Sequence, residues 1–117
     1  MSDKIKVLVV EPMKPCRVQE IPNTLEAMKQ TIGGRIESFS YQREAIISNE
    51  EGKLLGLSAN RRVGGDVIAG TFLIVGSADG EFCSLSGEDA AHYAQRFAQP
   101  ISEPCPEGLR ETTFYIM

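Results

Sequence analysis

Residues 66–76 read DVIAGTFLIVG, the longest β-like run in the chain. Phe72 to Val75 form an unbroken apolar block, rich in the branched and aromatic side chains that suit a pleated, largely buried surface. Gly70 interrupts the run and marks either a bulge or a close approach to the backbone. A second block of the same kind, KIKVLVV (4–10), ends in four apolar residues and is bounded by Pro12 and Pro15. It reads as a largely buried strand.

Working outward, CRVQEI (16–21) alternates weakly and is expected to pair with that first strand, with Pro15 favouring an edge position. RIESFSY (35–41) alternates Ile36, Ser38 and Ser40 against Glu37, Phe39 and Tyr41, a strand with one aromatic face. EAIIS (44–48), the turn NEEG and KLLGL (53–57) give a hairpin signal, two apolar runs about a glycine-containing loop. SADG then turns the long run into EFCSL (81–85).

Two helices punctuate the strands. In NTLEAMKQTIGG, Asn23 is placed to cap the amide end and Glu26 to complete a capping box. Leu25, Met28 and Ile32 fall on one face, and Gly33 supplies a left-handed stop, giving a helix over about 24–32. Ser86 caps the second helix, Ala90, Tyr93, Ala94 and Phe97 make its apolar stripe, and Pro100 closes the region, giving 87–98. Helices separated by hairpin-linked strands imply an α+β fold, a mostly antiparallel sheet with both helices packed on one face. Residues 1–117 are expected to form a single domain, ending in a proline-rich strap and a last strand, ETTFYIM (111–117).

Composition narrows the function. Twelve basic against 16 acidic residues leave a net charge of −4, which disfavours general nucleic-acid binding. The three cysteines contain no C-x-x-C pair, and their odd number suits a reducing cytoplasm. No apolar run approaches the roughly 20 residues of a membrane span. Metal-ligand spacing, an Asp-rich loop, G-x-S-x-G, G-x-x-x-x-G-K-[ST] and a strand-linked G-x-G-x-x-G are all missing from the sequence, so neither a metal nor another cofactor is expected. The single histidine, His92, lies mid-helix between Glu88 and Arg96, as on a solvated face.

The stretch SANRRVGG (58–65) carries the parts of an anion grip. Arg61 and Arg62 offer planar forks, Gly64 and Gly65 permit inward-turned amides, Asn60 adds an amide and Lys53 a nearby ammonium. A polar inter-strand loop whose arginines face water explains the same residues.

The ordered set VLVVEPMKP, TLEAMKQTIGGRIE, NEEGKLLGLSANRR, IAGTFLIVG and FCSLSGEDAAHYAQRF resembles a small domain-of-unknown-function family of phages, conjugative plasmids and gut bacterial mobile elements. The likeness covers about residues 4–98 and leaves 99–117 outside. Asn49, Glu50, Gly52 and Lys53 match in the turn, and Asn60 and Arg61 in the loop. The resemblance implies a genomic habitat and no reaction.

Together these point to a non-enzymatic cytoplasmic binding protein that sequesters a small anionic, nucleotide-like host signal to blunt defence. The alternative is a protein–protein interaction module that inhibits a host enzyme, and a hydrolase or transferase using Cys83 or His92 is the third. A homo-oligomer joined through the terminal strand is a further expectation.

Overall fold

A computed structural model describes residues 4–101. Eight strands and two helices follow in the order β1 (Lys4–Val10), β2 (Arg17–Pro22), α1 (Leu25–Ile32), β3 (Ile36–Tyr41), β4 (Glu44–Asn49), β5 (Ala59–Val63), β6 (Asp66–Ala69), β7 (Phe72–Ala78), β8 (Glu81–Cys83) and α2 (Gly87–Arg96). The main sheet runs β2-β1-β7-β4-β3, with β8 paired to the far end of β7, and every pairing in it is antiparallel. β5 and β6 form a separate hairpin. This is an α+β fold with two helices against a mostly antiparallel sheet.

The helices lie on opposite faces, which corrects the expectation of one. Successive residues of a strand point to opposite sides of the sheet. Val7, Val9, Ile47, Leu73 and Val75 pack with Met28 and Ile32 of α1, whereas Leu8, Val10, Ile46, Phe72 and Ile74 pack with Ala90 and Tyr93 of α2 and with Phe97 just past its end. Burial on both sides is why each of the three central strands carries an apolar block without alternation, at residues 7–10, 45–47 and 72–75.

Local chemistry sets the element ends. Thr24, not Asn23, caps α1: its Oγ1 accepts the Ala27 N–H at 3.1 Å, while Asn23 Nδ2 donates to Phe82 O. Leu25, expected on the core face of this helix, is 63% exposed. Gly33 closes α1 in the left-handed region. Ser86 caps α2, which ends at Arg96 with Phe97 as its C-cap. Asp79 and Gly80 both have positive φ, the pattern of a type I′ turn joining β7 to β8.

Three strand expectations change. Residues 53–57 form no strand; they belong to a turn, held by Leu55 N–H to Glu51 O at 2.8 Å and Leu57 N–H to Gly52 O at 2.9 Å. The 66–76 run is two strands broken at Gly70, whose φ of 85° turns the chain from the hairpin into the main sheet. The neighbour that approaches Gly70 is Leu57, whose Cδ1 would stand 2.7 Å from a Cβ there. Residues 58–65, read as a loop, form most of the β5–β6 hairpin. The expected strand at 111–117 lies outside the described residues.

A polar pair is buried beneath α2. Tyr93 donates its hydroxyl to Glu44 Oε1 at 2.5 Å, with Gln42 Oε1 2.9 Å from the same oxygen. Burial, then the Glu44 carboxylate, pushes the phenol above the ordinary tyrosine range.

Candidate functional site

The β5–β6 hairpin lies over the α2 face, where Val63 and Ile68 join the core around Phe72 and Phe97. Its two-residue turn is Gly64-Gly65, and positive φ at Gly64 alone matches the type II′ pattern that demands glycine there. Opposite the turn, the register slips between Ala59 and Arg61, leaving Asn60 as a bulge. Strict alternation would send Asn60 and Arg61 to opposite sides; the bulge re-aims them and both are buried.

Arg61 is 1% exposed, and its guanidinium is consumed by oxygen atoms of the protein itself. Nε donates to Phe97 O at 2.7 Å, NH2 to Lys14 O at 2.7 Å, and NH1 to Asn60 Oδ1 at 2.7 Å and Glu11 O at 3.3 Å. Asn60 Nδ2 in turn donates to Val10 O and Gly70 O, each at 2.8 Å. Burial lowers the Arg61 pKa, an effect opposed by nearby Cys16. The Cys16 thiol is pushed up by burial, with Arg61 opposing, and it too donates to Phe97 O.

The six residues of the anion grip are therefore split. Asn60 and Arg61 face inward and join the hairpin to the β1–β2 connection and the end of α2. Arg62, Gly64 and Gly65 face solvent on the hairpin. Lys53 donates to Asp66 Oδ1 at 2.5 Å, across to the first residue of β6. That contact and the Val67 N–H hold the Asp66 carboxyl below its usual value, although burial pulls the other way. Cys83 is half-buried on β8, and His92 is exposed with its ring 4.9 Å from that of Tyr93.

A groove of about 590 Å³ opens between β6, the outer end of β3–β4 and the 50–57 turn. Ser48, 4% exposed, contributes a hydroxyl that bonds no other described residue, and Val63 and Ile68 supply apolar wall. Glu37, Glu50 and Asp66 set three carboxylates around it against the single ammonium of Lys53. Phe39 and Leu54, 39% and 84% exposed, stand at the mouth. Leu55 and Leu57 continue this apolar surface along the turn. Gly52 fixes the turn against β6, since a Cβ there would meet Ala69 O at 2.5 Å. Exposed leucines on a hydrogen-bonded turn escaped the sequence reading, which took them for a strand. The paired glycines at 52 and 56 were the available signal.

Among the described residues no cluster of three or more His, Cys, Asp or Glu side chains is placed to hold a metal, and no helix is long and apolar enough to cross a membrane. The class defined by these features is a small α+β domain whose distinctive surface is a groove walled by a β-hairpin. Residues 5–98 match the model of a family described as a domain of unknown function, DUF3846, and the chain belongs to that family. No curated protein and no solved structure matches it.

Proposed function

We propose that this chain is a non-catalytic binding protein that captures a partner protein through the groove and the leucine-bearing turn beside it. The observation that carries this reading is the exposure of Leu54, Leu55 and Phe39 around a groove already lined with polar and apolar wall. Large apolar side chains held at the surface by a hydrogen-bonded turn gain from being covered. The resemblance to a family of phages, conjugative plasmids and mobile elements supplies the setting, in which the captured protein is a host enzyme and capture inhibits it.

A second reading keeps the small anionic, nucleotide-like ligand and the evasion of host defence. Arg62 favours it, being exposed beside the Gly64-Gly65 turn, its guanidinium without a hydrogen bond to any described residue. Arg61 is already bonded to oxygens of the protein, so the grip would rest on Arg62 and on Lys53 released from Asp66.

Native mass spectrometry of protein purified from the host separates the two. Protein capture predicts a polypeptide adduct that survives Arg62→Ala and disappears in the Leu54→Ser, Leu55→Ser double variant. A small-molecule adduct lost on Arg62→Ala and kept by the leucine variant would replace the first reading with the second.

A further inference from the structure

Resting on that reading of the groove, we propose that the captured segment is an extended basic peptide that adds as a strand to the outer edge of β3. β3 is the last strand on its side of the sheet and pairs only with β4 among the described residues. The Glu50 N–H donates to Arg35 O at 2.9 Å, so Arg35 and Glu50 form a hydrogen-bonded pair, and alternate residues repeat that state. Glu37, Phe39 and Tyr41 therefore spend their backbone groups on β4. Ile36, Ser38 and Ser40 turn theirs outward.

The two sheet edges differ. β2, on the other side, ends at Pro22 and carries Arg17 and Glu20, the proline and charges that discourage pairing. β3 has no proline, lysine or bulge, and its four middle residues are exposed. It is an edge left fit for another strand.

The side chains beside that edge specify the chemistry. Glu37 and Phe39 project from β3 onto the groove, so a strand added there sets alternate side chains next to a carboxylate and an aromatic ring. Glu37 has no ion pair with a described residue, and Glu50 has only Arg35 at 4.0 Å. A lysine or arginine flanked by apolar residues complements this edge, and an acidic peptide is repelled by it.

The test is selection from a displayed library of random heptapeptides on the full chain, followed by amide hydrogen exchange with the winning peptide. Strand addition predicts enrichment of lysine or arginine between β-branched or aromatic residues, and slowed exchange at Ile36, Ser38 and Ser40. Binding should fall at least tenfold in Glu37→Lys. It should fall equally in Ser38→Pro, which deletes an outward N–H without touching the β4 ladder. Acidic or charge-neutral winners, or none, would overturn the proposal. Winners that need Leu54 and Leu55 but leave the β3 amides unprotected would overturn strand addition while the groove reading stands. Protection of those amides before peptide is added would give the edge to this chain itself or to a second copy, and would also overturn it.

Discussion

Arg61 and Phe97 are joined by a 2.7 Å hydrogen bond from the guanidinium Nε to the carbonyl at the C-terminal end of α2. A cation at this end of a helix meets carbonyls without intrahelical partners and the negative end of the helix dipole. The same guanidinium reaches Glu11 and Lys14 in the β1–β2 connection, so one side chain ties three segments distant in sequence. The hairpin that walls the groove is placed by this tie, which makes Arg61 a positioning residue for a surface it does not reach.

Arg61→Ala is expected to destabilise the fold by about 3 kcal/mol or more, because several charge-assisted bonds vanish and buried carbonyls lose their donor. Arg61→Lys should recover little, since one ammonium cannot span oxygens lying in several directions around a planar fork. Urea unfolding followed by circular dichroism checks both. A shift of less than about 1 kcal/mol for the alanine variant would remove the tie from the account.

Gly52→Ala should cost about 1–3 kcal/mol, because the new methyl meets the Ala69 carbonyl, a backbone atom that cannot swing aside. Gly87→Ala is the opposing case. Gly87 begins α2 with nothing within 4 Å of its Cβ position, and alanine there should stabilise by up to about 1 kcal/mol. Thermal melts of the two variants should move in opposite directions; a neutral Gly52→Ala would mean that the turn is not held against β6.

Much of the fold was legible because its signals are local. Gly33 after an apolar stripe, Ser86 before one, and the Asp79-Gly80 turn each act within a few residues. The two-faced sheet was written in the sequence but misread: Leu8-Val9-Val10 and Phe72 to Val75 lack the alternation that a solvent-facing side would impose, yet both helices were expected on one face. Asn60 and Arg61 were not legible. Their inward course depends on a bulge, and their partners lie at Val10, Lys14 and Phe97, remote in the chain. Leu54, Leu55 and Leu57 misled for the converse reason: apolar residues suggest burial, and these are exposed.

The Leu54→Ser, Leu55→Ser double variant should change stability by no more than about 0.5 kcal/mol per site, as expected for exposed positions outside the core. Its apparent solubility should rise as the apolar surface shrinks. Chemical denaturation together with static light scattering at increasing concentration measures both. A loss of several kcal/mol would mean that the leucines serve the fold and not a surface.

Tyr93 gives a pH signature. Its phenol is held above the usual tyrosine value, by burial first and then by the Glu44 carboxylate at 2.5 Å, so the folded state favours the neutral form. The resulting stability is fully present below about pH 10, where the unfolded phenol is still protonated, and is lost as pH rises toward the higher folded value. Tyr93 should ionise only at strongly alkaline pH, with its absorbance near 295 nm appearing as the protein unfolds in alkali. Tyr93→Phe should abolish that late phase. It should also cost about 1–3 kcal/mol at neutral pH, because Glu44 stays buried without its donor. A phenylalanine variant with the same alkaline transition as the parent would place the pH dependence elsewhere.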